Sequence, residues 1–256
     1  MRRPTALVLL PLALLGLTAV PAPAAERRGP ACTIEGTPTS DQLDGTAGDD
    51  VICGLGGSDT LNGKGGDDTL IGGSGFDYAA YNHDPAGVTV DLAGGTGTDG
   101  DGDTDSYIGI EGIVGSTEAD TLTGDGRLNQ VYPLGGDDVV AGGGGFDYVA
   151  FAISPGPIVV DLREGTASGE GADTLSGFEA VVASPFDDRV TGDGRVNWFY
   201  GLDGNDKLLG LGGADRFYGG VGRDLMRGAR GNDDFFGGPG NDTCLQGPGR
   251  GKMRSC

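Results

Sequence analysis

An apolar residue recurs every nine positions through three stretches of this chain, a spacing that neither an amphipathic helix nor a single extended strand produces. Residues 36–80 divide into GTPTSDQLD, GTAGDDVIC, GLGGSDTLN, GKGGDDTLI and GGSGFDYAA. Residues 115–150 divide into GSTEADTLT, GDGRLNQVY, PLGGDDVVA and GGGGFDYVA. Residues 183–245 give ASPFDDRVT, GDGRVNWFY, GLDGNDKLL, GLGGADRFY, GGVGRDLMR, GARGNDDFF and GGPGNDTCL. In all sixteen nonamers the eighth position is apolar, and the first is Gly except at Pro133 and Ala183. Strict phase of this kind separates a repeat architecture from low-complexity disorder, which glycine and acidity alone would suggest. Each nonamer predicts a six-residue turn and a three-residue strand that sends one side chain inward.

Two separators, 81–114 and 151–182, align with each other. Both hold a strand-like segment, VTVDL or IVVDL, and a later GIEGIV or GFEAVV, so they are expected to extend the sheets or to loop from one face. Insert plus nonamers forms a larger repeat, and nothing between Gly36 and Leu245 is left for a separate domain. Residues 1–24 read as a secretory signal peptide: Arg2 and Arg3 precede an apolar run broken by Pro11, with Ala22-Pro23-Ala24 at the cleavage site. The run is too short for a membrane span, so a secreted chain starting at Ala25 is expected. Residues 25–35 and 246–256 are expected to cap the two ends.

Charge changes the picture. The chain carries 17 Lys and Arg against 38 Asp and Glu, a net charge of -21, which makes nucleic acid and anionic membranes poor partners. Residues 201–256 are nearly balanced, with eight basic and seven acidic side chains, so the excess lies upstream and calls for cations. The sixth nonamer position is Asp fourteen times and Asn twice. Glycines that permit positive φ let turn carbonyls face a common point, and the aspartate adds a carboxylate there. An all-oxygen, irregular cage suits Ca²⁺ better than Mg²⁺, and the single His83 excludes a histidine zinc site.

GKGGDDTLI and GGPGNDTCL are close to GGxGxDxUx, where U is a large apolar residue, and here the chain resembles the RTX, or haemolysin-type, calcium-binding nonapeptide repeat. The resemblance implies an all-β fold, a right-handed parallel β-roll in which two nonamers make one coil. It implies Ca²⁺ between turns stacked on the same edge. It would put Asp41, Asp59 and Asp77 on one edge of the first block and Asp50 and Asp68 on the other. In the second block Asp120 pairs with Asp138 and Asn129 with Asp147. In the third, Asp188, Asp206, Asp224 and Asp242 share one edge, and Asn197, Asp215 and Asp233 the other. Fewer than the full set should fill, because Thr39, Glu118, Arg127, Phe186 and Arg195 replace the fourth-position glycine. Arg223 and Arg230 also bring positive charge into turns of the last block.

Four cysteines in a secreted chain allow three pairings. With the coils stacked about 4.8 Å apart, the two ends lie some 40 Å from one another. That selects Cys32 with Cys53 and Cys244 with Cys256, one bridge for each end.

Other motifs carry less. DGDGDTDSYIGIE (99–111) alternates Asp99, Asp101 and Asp103 like an EF-hand loop, but Thr104 takes the glycine place and Ile110 the twelfth, so a solvated acidic loop is expected. Gly95, Gly97 and Gly100 form a GxGxxG with no helix pattern after it. His83 is expected on the surface, and Trp198, Phe199 and Tyr200 are expected to mix one core position with two exposed neighbours. The leading expectation is a secreted, non-enzymatic calcium-binding protein. The alternatives are an adhesin or surface-layer protein with a cell-surface or glycan partner, and a solenoid polysaccharide lyase or epimerase supported only by the basic residues of the third block.

Overall fold

The computed structural model describes residues 31–256, and the signal-peptide segment lies outside the described residues. Every regular element described is a strand, most of them three residues long. The strands stack in two sheets, one of fifteen and one of eleven, with a two-stranded patch between Gly56–Gly57 and Ser74–Gly75. No helix among these residues is long and apolar enough to cross a membrane.

Successive nonamers alternate between the sheets, so residue i pairs with i+18. Ile52 lies against Leu70, and Leu43 against Leu61. In the third block Phe199 lies against Phe217 and Phe217 against Phe235. A three-residue strand has room for one inward side chain, and the eighth position supplies it. Ile52, Leu61, Leu70, Ile113, Leu122, Val131, Val181, Phe199, Leu208, Phe217, Met226 and Phe235 are all at most 1 % exposed and form one continuous core. The rings of Phe217 and Phe235 stack at 4.8 Å with 9° between planes.

Both inserts extend the longer sheet. In the first, Thr96–Thr98 pairs antiparallel with Thr89–Asp91 and with Thr104–Ile108. The flanking strands of this meander then join the repeats in parallel, Thr104–Ile108 on Thr69–Ile71 and Thr89–Asp91 on Thr121–Thr123. Val159–Asp161, Thr166–Ser168 and Ala172–Ser176 repeat the arrangement in the second insert. Each insert returns to the shorter sheet through one strand, Gly112–Val114 or Ala180–Val182. Tyr81, Val88, Tyr107 and Ile110 fill the core beneath the first meander, and Phe151, Ile158, Leu175 and Phe178 beneath the second.

The aromatic triplet departs from expectation. Phe199 is core, but Tyr200 is 6 % exposed and Trp198 half-buried, within a second apolar layer on the outer face of the shorter sheet. The seventh and ninth positions of those strands are bulky: Tyr78, Tyr132, Tyr148 and Tyr200 are buried there, with Phe146, Leu128 and Leu202 packed against them. Tyr200 and Tyr218 stack at 4.8 Å, and Arg216 lies 4.6 Å over the Trp198 ring. Period-two alternation places these side chains outside the roll, but lateral aromatic contacts bury them all the same. His83 is exposed.

Both ends are covalently closed. Cys32 bonds Cys53 and Cys244 bonds Cys256, the pairing that the coil geometry selects. Shortening the central ring of the phenylalanine stack, Phe217→Ala, should cost about 3 to 5 kcal/mol. The loss should appear as a lower denaturant midpoint at fixed calcium concentration, whereas an unchanged midpoint would contradict the core assignment.

Candidate metal centre

The sixth-position aspartates form hydrogen-bonded ladders along both edges of the roll. The backbone N–H of Asp50 donates to Asp68 Oδ1 at 2.8 Å, that of Asp41 to Asp59 and that of Asp59 to Asp77, also at 2.8 Å. Asp120 donates to Asp138 at 2.8 Å, and Asn129 to Asp147 at 2.7 Å. In the third block Asp188, Asp206, Asp224 and Asp242 form one rail, while Asn197, Asp215 and Asp233 form the other. The ladder therefore uses one oxygen of each accepting carboxylate. What happens to the other oxygen divides the sixteen turns into two kinds.

In ten turns it has no hydrogen-bond partner although it is buried: Oδ2 of Asp59, Asp68, Asp77, Asp138, Asp147, Asp206, Asp215, Asp224, Asp233 and Asp242. In all ten, the second residue of the nonamer has positive φ. It is Gly in four, at Gly73, Gly143, Gly220 and Gly238, but Leu55, Lys64, Leu134, Leu202, Leu211 and Ala229 adopt the same conformation. A left-handed Leu or Lys is disfavoured by about 1 kcal/mol, and such outliers persist where the surroundings impose them. The glycine before it has a separate role. A Cβ at Gly63 would strike Asp68 Oδ2, so the glycine there makes room for that oxygen.

In the other six turns the second residue is Thr, Ser or Asp, and the turn closes on itself. Thr46 donates both its N–H and its hydroxyl to Asp50 Oδ2, at 2.7 and 2.9 Å, and the hydroxyl also reaches the Gly48 carbonyl. Thr37 with Asp41 and Ser184 with Asp188 close in the same way, while Ser116 donates its N–H to Asp120 Oδ2 and its hydroxyl to Oδ1. At the two asparagines, Oδ1 accepts from Asp125 or Asp193 N–H, and Nδ2 donates to the Glu111 or Glu179 carbonyl. All five fourth-position losses, expected to weaken turns, fall in closed turns, and the second position separates the two kinds completely, including the Asp50 turn that keeps Gly48. It is Thr, Ser or Asp in the closed turns and Gly, Leu, Lys or Ala in the open ones.

Electrostatics follow the division only in part, since burial also raises the closed-turn Asp120 and Asp188 despite the hydrogen bonds from Ser116 and Ser184. Hydrogen bonds from Thr46 and Thr33 hold the Asp50 carboxyl below its ordinary range. Burial, reinforced by neighbouring carboxylates, pushes its ladder partner Asp68 up to about 7. Burial likewise raises Asp138 and Asp147 to about 7, Asp206 to about 8 and Asp215 to about 7. The ion pairs among the described residues involve Arg127, Arg163 and Arg195, and none reaches an open-turn aspartate.

The inserts also enter the ladders, which the nonamer register did not reveal. Asp68 N–H donates to Asp105 Oδ1 and Asp138 N–H to Asp173 Oδ1, while Asp77 and Asp147 donate to Glu111 and Glu179. A sequence signal existed: DSYI, DTLS, EGIV and EAVV keep the acid and the inward apolar residue of the nonamer's second half after the glycine turn is lost.

Among the described residues no three His, Cys, Asp or Glu side chains converge as a ready-made metal cluster. A cation in these turns must take its other donors from backbone carbonyls, as hard cations do. Buried, unpartnered carboxylate oxygens in register, without a neutralising Lys or Arg, fit such an ion.

A family model described as the RTX calcium-binding nonapeptide repeat (four copies) matches residues 35–70, 44–79, 114–149, 182–215, 191–226 and 209–244. Together these matches cover more than half of the chain. No match was found among curated proteins.

The raised carboxyls set a pH dependence for the metal-free chain. An unfolded Asp titrates near 3.9, whereas Asp68, Asp138, Asp147 and Asp215 titrate at about 7 when folded. Between these values the folded state binds more protons, so its stability falls as pH rises and is greatest below pH ~4. Chelator-treated protein should therefore gain β-sheet circular dichroism when acidified from pH 8 to pH 5.

Proposed function

The chain belongs to the RTX calcium-binding nonapeptide repeat family, and on that premise we propose that it is a secreted, non-enzymatic protein whose β-roll folds around Ca²⁺. The ten open turns carry this reading, since each presents a buried carboxylate oxygen without a partner beside a left-handed second residue. The residues that would hold the ions are Asp59, Asp68, Asp77, Asp138, Asp147, Asp206, Asp215, Asp224, Asp233 and Asp242, together with turn carbonyls. Bound Ca²⁺ supplies the positive charge that stacked carboxylates lack. Asp41, Asp50, Asp120 and Asp188 are satisfied by Thr or Ser hydroxyls; Asp41, Asp120 and Asp188 serve as the structural starts of the three blocks, and Asp50 extends the first. The two disulfides support an oxidising, extracellular setting, as does the N-terminal leader pattern.

A second reading, adhesion to an anionic glycan, has one observation in its favour. Arg189, Lys207 and Arg227 line a shallow depression on the longer sheet with Leu209 and Leu225, in an otherwise acidic chain. Calcium-dependent retention of the protein on a polyuronate column, lost in Arg189→Glu/Lys207→Glu, would select it.

The leading reading is tested by far-UV circular dichroism during calcium titration of the mature chain. A transition from coil to sheet is expected, and an unchanged spectrum would count against calcium-driven folding. Asp206→Asn, in an open turn, should raise the calcium midpoint several-fold, whereas Asp41→Asn, in a closed turn, should leave it nearly unchanged.

A further inference from the structure

The acidic loop of the first insert is not the solvated segment that its composition suggests. Asp99 is 3 % exposed and Asp105 1 %. The loop docks on the turn of residues 63–68: Gly66 N–H donates to Asp103 Oδ2 at 3.0 Å, and Thr104 N–H to Asp67 Oδ1 at 2.8 Å. Inside it, Asp99 Oδ1 accepts from the N–H groups of Asp101, Gly102 and Asp103 at 3.0, 2.7 and 2.8 Å. Its Oδ2 is buried and has no hydrogen-bond partner.

The charged groups that feel Asp99 are themselves acidic. Asp84, Asp105 and Asp68 are each repelled by it. Asp84 is held against the loop by the Gly100 N–H, which donates to its Oδ2 at 2.9 Å. Asp105 has no oxygen to spare, since it accepts from Asp68 N–H at 3.1 Å and from the Tyr81 hydroxyl at 2.7 Å. Burial, with the charges of Asp99, Asp105 and Asp101, pushes the Asp84 carboxyl up to about 6. A buried, unpaired oxygen among like charges is costly unless a cation joins it. The second insert is built differently: Ser154 and Gly169 stand where the first has Asp84 and Asp99, and its half-buried acid, Glu170, lies beside Ser154 and Asp173.

We propose that Asp99 and Asp84 form a separate binding site for a hard divalent cation, Ca²⁺ in this setting, with Asp99 Oδ2 as the anchoring ligand and backbone carbonyls and water completing the shell. The site lies outside the nonamer register and belongs to one insert only. It does not depend on the open turns being filled.

Equilibrium dialysis with Ca²⁺ alone, on the full mature chain and its variants, tests the proposal. Asp99→Asn should bind one ion fewer per chain than the parent, while the exposed Asp101→Asn should bind the parental number. The difference between variants reads this site, whatever the total contributed by the repeat turns. Circular dichroism in saturating calcium establishes whether Asp99→Asn is folded. Should it not be, Asp84→Ser, which installs the residue of the second insert, takes its place and should show the same loss of one ion. Parental stoichiometry in the folded variant, with an unchanged dissociation constant, would overturn the assignment.

Discussion

The hydrogen bond from one aspartate's backbone N–H to the next aspartate's Oδ1, one coil along, governs this molecule. It sets the axial register of the turns and draws carboxylates into line at the spacing of parallel strands. The arrangement is self-limiting. Within the nonamers each bond organises one oxygen and strands the other in a buried place without a hydrogen-bond partner, and repulsion accumulates along each edge. The strands cannot offset this alone, because three residues with one inward side chain bury little apolar surface per coil. Turn chemistry therefore decides whether the coil closes unaided, through a hydroxyl, or needs a counter-ion.

Closed and open turns are distributed unevenly. Each block begins with a closed turn, at Thr37, Ser116 or Ser184, and open turns follow downstream. Such an order gives every block a start whose carboxylate is already satisfied, on which ion-dependent coils are laid. The asparagines at 129 and 197 continue the closed type one turn further in the second and third blocks, where Nδ2 occupies the carbonyl a cation would otherwise seek.

Much of this was legible in the residues. The eighth-position apolar row is the core, the sixth-position row is the ladder, and the cysteine pairing followed from the length of the coil stack. Three things were not legible, for different reasons. The role of the second position is conformational, and Leu202 in a left-handed turn looks like any other leucine in the sequence. The ladder positions of Asp105, Asp173, Glu111 and Glu179 are hidden because a meander interrupts the nine-residue count while leaving the stacking intact. The buried outer layer around Tyr132 and Tyr148 depends on neighbours eighteen or more residues away, which no local window compares.

The unequal strand numbers of the two sheets carry a mechanical meaning. Fifteen strands face eleven across a shared core, and at about 4.8 Å per strand the longer sheet has some 19 Å more arc to accommodate. That surplus enters at two places only, at the two meanders, where Tyr81 and Tyr107 at one and Phe151 and Phe178 at the other belong to the buried core. A stack of identical coils would give both sheets the same number of strands; here each meander adds three strands to the longer sheet against one to the shorter, and the inequality is confined to those two places.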